Sequence, residues 1–141
     1  KLDGSERRAF VMLGDGEIQE GSVWEAAMAA AHHELGNLKV ILDRNRIQND
    51  DFCETQMRMF DIPAKWRAFG WNVKEIDGHD MNEVVEGINY LAETNDGPSI
   101  LIAHTVKGKG ISFMEDNPSF HGAAPNDEQY ALALSELGVE L

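Results

Sequence analysis

Four short apolar runs, Ala9–Leu13 (AFVML), Leu38–Leu42 (LKVIL), Trp71–Ile76 (WNVKEI) and Ser99–Ala103 (SILIA), alternate with stretches of helical character. Near-continuous apolar runs of this length belong to strands that are buried on both faces. Between the first two lies Gly21–Leu35 (GSVWEAAMAAAHHEL), dense in Ala, Met, Glu and Leu, and therefore a predicted helix. Its residues Ala27, Ala30 and Ala31 offer a small face for close packing, and Gly36-Asn37 is expected to stop it. Asp50–Pro63 reads as irregular, with a short helix at Ala64–Phe69 closed by Gly70. Met81–Thr94 reads as a helix with Val84, Val85, Ile88 and Leu91 on one face. After the fourth run come a glycine-rich segment at Lys107–Gly110, a loop to Pro125 and a terminal helix from about Asp127. The alternation predicts an α/β fold, a parallel sheet with helices on both faces. At 141 residues, without repeats or linkers, one domain is expected.

Charge narrows the partners. Twelve Lys and Arg stand against 25 Asp and Glu, a formal net charge of −13. So acidic a surface repels a phosphate backbone, which argues against nucleic acid and requires any anionic ligand to bind at a local exception to the field. No apolar run approaches the ~20 residues that cross a bilayer, so no membrane partner is expected. Cys53 is the one cysteine, which precludes an internal disulfide or a zinc cluster and suits a reducing, cytoplasmic setting. The sequence opens on Lys1 rather than Met and is therefore silent about a leader.

Open parallel sheets bind ligands beyond the carboxyl ends of their strands. Asp15, inside Gly14-Asp15-Gly16, follows the first strand, and Asn45 follows the second, 30 positions later. A right-handed crossover returns the chain to the same edge of the sheet, so the two side chains can converge. A carboxylate, an amide oxygen and a backbone carbonyl are hard donors suited to a six-coordinate Mg²⁺ that keeps places for phosphate oxygens and water. The flanking glycines permit close approach of backbone to ligand. Gly-Asp-Gly alone is also an ordinary tight turn; the following helix, strand and Asn45 give it weight. No G-x-G-x-x-G follows the first strand, which argues against a dinucleotide site.

Four segments carry a resemblance: GDGEIQEGSVWEAA (Gly14–Ala27), NLKVILDRNRIQND (Asn37–Asp50), AHTVKGKG (Ala103–Gly110) and FHGAAP (Phe120–Pro125). In this order and at these intervals they resemble the transketolases, thiamine-diphosphate enzymes, over nearly the whole chain. The QEG after GDGE favours transketolase over deoxyxylulose-phosphate synthase and the 2-oxo-acid dehydrogenase E1 components. The resemblance implies a diphosphate-binding domain across residues 1–141, partial because cofactor and substrate segments upstream of GDG are missing. On the same resemblance, a pyrimidine-binding domain is expected to be absent from residues 1–141. It implies ketol transfer between sugar phosphates, as in the pentose phosphate pathway, with thiamine diphosphate and Mg²⁺ as cofactors. The ending after HGAAP resembles that of the amino-terminal subunit of a split transketolase. A carboxy-terminal partner subunit is therefore expected, in a homo- or hetero-oligomer.

Residue by residue, the resemblance implies that Asp15 and Asn45 ligate Mg²⁺ through their side chains and Ile47 through its carbonyl oxygen. Gly14, Asp15, Gly16, Glu17, Asn45, Lys107 and His121 fall in cofactor-binding positions, and His121 is the candidate catalytic residue. Lys107 and His121 are expected to reach into one mouth, Lys107 offsetting the negative field. Glu20 and Glu25 fall where the family makes a contact between subunits, although a glutamate near a helix start is also favourable by itself. His32 and His33 are adjacent on a helix, face different sides and read as surface or core residues. His79 reads as a turn or cap residue, and Trp24, Trp66 and Trp71 as core or interface aromatics. Two further readings stay open: a related enzyme acting on another sugar, and a non-catalytic interaction module.

Overall fold

In the computed structural model, which describes residues 3–139, the four apolar runs form one all-parallel sheet. Its strands are β1 (Ala9–Gly14), β2 (Leu38–Arg44), β3 (Asn72–Asp77) and β4 (Ser99–His104), in spatial order β1-β2-β4-β3. The helices are α1 (Gly21–His32), α2 (Cys53–Gln56), α3 (Ile62–Ala68), α4 (Met81–Glu93) and α5 (Asp127–Glu136). None is long and apolar enough to cross a membrane.

Strand order explains the layering. From β1 through β2 to β3 the chain moves one way across the sheet, then turns back to insert β4. Parallel crossovers are right-handed, so this reversal carries α4 to the face opposite α1 and α3. The packing agrees. Ala27 and Ala30 of α1 and Ile62 and Trp66 of α3 share a core with Val40, Leu42, Ile100 and Ile102 of the sheet. Leu91 of α4 packs with Leu101 and Ile76 in a separate core. Trp66 stacks between Trp24, at 5.2 Å, and Trp71, at 4.7 Å. The Trp71 indole N–H donates to the Ala27 carbonyl at 3.0 Å, tying the aromatic cluster to the small face of α1.

Helices cover both faces, as the sequence predicts, and three local expectations need correction. The first run is not a buried strand: β1 is an edge strand, and Phe10 and Met12 remain 51% and 67% exposed because they face the side of the sheet on which α4 packs over β3 and β4 rather than over β1. Helix α1 ends before Gly36, at a left-handed turn in which Glu34 has φ +48° and the Leu35 N–H donates to the Ala30 carbonyl. Gly36 instead makes room for the backbone, since a Cβ there would lie 2.0 Å from the Asn95 carbonyl oxygen. On α4, Leu91 is fully buried while Val85 and Ile88 stay exposed. The helix rests closest to the sheet at Gly87, where a Cβ would lie 2.8 Å from Leu101.

Candidate functional site

Register places the carboxyl ends of three strands side by side, with Gly14 opposite Asp43 and Asp43 opposite Ala103. Asp15 therefore leaves the sheet next to Arg44 and Asn45. Together with Gly14, Gly16, Glu17, Gln19, Glu20, Ile47, Gln48, Asn49 and His121, Asp15 and Asn45 line one cavity of about 490 Å³. Two side chains 30 positions apart share a single cleft.

The turn after β1 is held by its own chemistry. Glu17–Gln19 forms one tight 3-10 turn whose middle residue, Ile18, is fully buried. That burial contributes about 1.5–3 kcal/mol and anchors the turn, leaving Glu17 and Gln19 on the cleft side. The Gly14 N–H donates to the Glu17 carboxylate at 3.2 Å, and the Gln19 amide donates to the Met57 carbonyl at 2.9 Å. Gly14 has open space where a side chain would project, whereas a Cβ on Gly16 would crowd Gln48 at 3.0 Å.

The turn after β2 supplies the second wall. Arg46 adopts a left-handed φ of +67°, uncommon for a residue with a side chain and typical of functional loops. This conformation directs two successive N–H groups: that of Arg46 donates to Asp15 Oδ2, and that of Ile47 to Asn45 Oδ1 at 3.0 Å. Asn45 Nδ2 donates to Asp43 at 3.0 Å, which fixes the amide with its oxygen toward Ile47 and a second lone pair unused. The side chain of Ile47 is buried, and its carbonyl accepts no hydrogen bond among the described residues.

Asp15 is 3% exposed and carries the electrostatics of the site. Burial pushes its carboxyl above the ordinary value, while the Arg44 guanidinium, 2.9 Å from Oδ1, and the Arg46 N–H pull the other way. Arg44 thus occupies Asp15 as a cation, and the cleft already selects positive charge at that oxygen. No three His, Cys, Asp or Glu side chains form a metal-ligand cluster among the described residues. A cation held here would rely on Asp15 with amide and carbonyl oxygens, a hard donor set that fits Mg²⁺ and leaves room for phosphate oxygens.

His121 reaches the cleft from a loop braced at several points. It follows a 3-10 turn, Pro118–Phe120, whose cap is the Asn117 side chain, and Phe113 stacks edge-on to Phe120 at 5.3 Å. Ser112 donates to Glu136 through its N–H and its hydroxyl at 2.7 and 2.6 Å, fastening the same loop to α5. Lys107 does not join His121. It lines a neighbouring cavity of about 430 Å³ with Met12, Asp43 and His79, and Asn45 borders both spaces. The expectation of two cations in one mouth is corrected: the chain turns away at Gly108, φ +76°, and the Lys107 carbonyl is tied to the Asp116 N–H.

The remaining sequence candidates resolve simply. His79 joins two turns, its Nε2 accepting from the Val106 N–H at 2.8 Å, which agrees with a cap role. His32 and His33 lie on α1 and just past its end, both exposed. Glu25 is exposed on α1, while Glu20 lines the cleft. Sequence reasoning misses Arg44 and Gln48. A basic residue beside Asn45 at a strand end of so acidic a chain is the available signal for Arg44; Gln48 offers none.

Residues 2–141 match the family described as transketolase, thiamine diphosphate binding domain. The chain belongs to this family. It is 41% identical to one subunit of the apulose-4-phosphate transketolase of Phocaeicola vulgatus, over 97% of this chain and 49% of that protein. It is 35% identical to the 6-deoxy-6-sulfo-D-fructose transketolase subunit SqwG of a Clostridium species, over 99% of this chain and 51% of that protein. The crystal structure of transketolase from Campylobacter jejuni superposes with a TM-score of 0.88 at 27% identity, covering 96% of this chain and 21% of that one. The chain spans about half the length of the curated relatives named here. Family and fold agree with what the four sequence segments imply.

Proposed function

We propose that this chain is the diphosphate- and metal-binding part of a transketolase. It works as a portion of the amino-terminal subunit of a split enzyme, beside a second subunit that carries the pyrimidine-binding domain. The observation that carries the reading is the convergence of Asp15, Asn45 and Ile47 with His121 on one cleft at the carboxyl edge of the sheet. In this reading Asp15 and Asn45 hold Mg²⁺ through side-chain oxygens and Ile47 through its carbonyl. Gly14, Gly16 and Glu17 border the diphosphate, and Lys107 approaches the cofactor from the neighbouring cavity. Two relatives named as transketolase subunits support the need for a partner.

Thiamine diphosphate, when bound, supplies the electron sink that moving a two-carbon ketol unit requires. The protein's part is to bind, orient and exclude water. Asp15 and Asn45 would hold a metal ion whose charge offsets that of the diphosphate. His121, exposed at the mouth, is positioned to hydrogen-bond oxygens of a ketose or aldose phosphate with its two distinct ring nitrogens. A cytoplasmic setting belongs to the same proposal, supported by the buried free thiol of Cys53.

The sugar is approached through the relatives, whose names specify apulose 4-phosphate and 6-deoxy-6-sulfo-D-fructose. The two-subunit enzyme, given thiamine diphosphate and Mg²⁺, is expected to transfer a ketol unit from one member of a ketose panel that includes both. Calorimetry on the same complex is expected to show metal-dependent cofactor binding. Silence in that titration would reduce the chain to an interaction module.

A further inference from the structure

A side-chain amide serves a cation only through its oxygen, and half a turn about its last bond offers an amino group instead. The neighbours of Asn45 forbid that turn. The Ile47 N–H, which can only donate, meets Asn45 Oδ1 at 3.0 Å, and Asp43 Oδ2 accepts from Asn45 Nδ2 at 3.0 Å. Reversal would set donor against donor and acceptor against acceptor. At a residue only 8% exposed, water is a poor substitute for the bonds so lost.

Asp43 is held in its turn. Its other oxygen, Oδ1, accepts from the Thr105 hydroxyl, and the Thr105 N–H donates to the Arg44 carbonyl at 3.2 Å. Thr105 directly follows β4, whose residues Ala103 and His104 lie opposite Asp43 and Arg44 in the parallel ladder. Two strand ends thus fix one carboxylate, one oxygen taking the hydroxyl and the other the amide. Asp43 and Thr105 line the neighbouring cavity of about 430 Å³, and of these three residues only Asn45 also lines the cleft of Asp15, Ile47 and His121. An influence of Asp43 on a ligand in that cleft therefore passes through the Asn45 amide or through the field of its charge.

The inference rests on the metal–diphosphate reading of the cleft. A hard divalent cation takes an amide oxygen and not an amino group, and Asn45 Oδ1 keeps a second lone pair after accepting from Ile47. We propose that Asp43 is a positioning residue of the metal site: braced by Thr105, it locks the Asn45 amide in the one orientation that presents oxygen to a divalent cation. The ligand is then set before the ion arrives, as partners standing behind metal ligands commonly arrange.

The test uses the assembled two-subunit enzyme, with Mg²⁺ affinity measured by calorimetry at saturating thiamine diphosphate and melting temperature measured without either. Asp43→Ala frees the amide and is expected to weaken Mg²⁺ binding about tenfold, the lower end for losing a partner behind a metal ligand. Asp43→Asn removes the charge but can keep both bonds, its oxygen accepting from Asn45 and its amino group donating to Thr105; it is expected to recover most of the lost affinity. Equal weakening in the two variants overturns the proposal, since charge and not orientation would then be what Asp43 supplies. In an Asn45→Ala background, Asp43→Ala is expected to weaken Mg²⁺ binding no further, because a residue acting through Asn45 has nothing left to position. A second loss of similar size there also overturns it. Thr105→Val loosens the carboxylate without altering it and is expected to weaken binding in the same direction, which keeps the proposal refutable should the melting temperature show Asp43→Ala to be misfolded. Asp15→Ala separates the two levels: loss of metal dependence there beside wild-type affinity in Asp43→Ala sinks only the role of Asp43, whereas persistence of metal dependence in Asp15→Ala sinks the metal reading itself.

Discussion

Arg44 donates to Asp15 at 2.9 Å, so the carboxylate that leaves β1 is neutralised by the residue just before Asn45 on the neighbouring strand. The Asp15 side chain is 1% exposed and that of Arg44 13%. Removing the cation strands a buried anion. Arg44→Met is therefore expected to cost the metal-free protein about 1.5–3 kcal/mol, the range for a hydrogen bond to a charged group. Mg²⁺ with thiamine diphosphate should restore part of that loss, because a bound cation replaces the missing charge. Urea unfolding with and without the two ligands measures both quantities; equal losses in the two conditions would show that Arg44 and the metal do not share Asp15.

His121 stands at the cleft mouth on a braced loop, with its ring exposed. His121→Ala is expected to lower kcat at least about tenfold, in keeping with a hydrogen-bonding group at a reacting centre, while cofactor affinity changes little. Steady-state kinetics beside a cofactor titration makes the comparison. A fully active variant removes His121 from the site.

The glycines divide by what surrounds them. At Gly36 a methyl group would collide with the Asn95 backbone at 2.0 Å, whereas Gly21 has nothing within 4 Å. Gly36→Ala is expected to destabilise by about 3 kcal/mol, the upper part of the overpacking range. Gly21→Ala, on the first residue of α1, should stay within about 0.5 kcal/mol of wild type. Thermal or urea melts of the two variants give the answer directly.

Cys53 is 1% exposed, and burial, reinforced by the Asp15 charge, pushes its thiol from 9.0 up to about 11. The folded state then holds this proton more tightly than the unfolded chain does. Its contribution to stability is whole below pH 9.0 and is lost as pH rises toward about 11. Wild type should lose more stability over that interval than Cys53→Ala does. At pH 8 the native thiol should react with a disulfide reagent at least about a hundredfold more slowly than the unfolded one, from the lowered thiolate fraction alone. Equal rates in the two states would contradict the burial of Cys53.

Much of this architecture is legible in the amino-acid order, for a definable reason. Strand positions and the meeting of Asp15 with Asn45 follow from hydrophobic runs and crossover handedness, which are local or topological. The exposure of β1 does not, because AFVML looks the same whether or not a helix lies over its second face. The use of Gly36 is hidden as well: α1 has already ended at His32, and what requires a glycine there is the distant backbone of Asn95. The placement of Lys107 is hidden too, since the loop that carries it is shaped by the turn at Gly108 and the Asp116–Lys107 backbone bond, which distance along the chain from His121 does not reveal. Gln48 cannot be singled out at all, since only the fold seats it against Gly16 in the turn after β1.

The free edge of β1 has a practical consequence for anyone handling this polypeptide alone. Its outer amides and carbonyls, flanked by Phe10, Val11 and Met12, form a ready template for a foreign strand. Concentrated solutions should cloud or form soluble clusters before the fold itself melts, and Met12→Lys should delay that onset without shifting the unfolding transition.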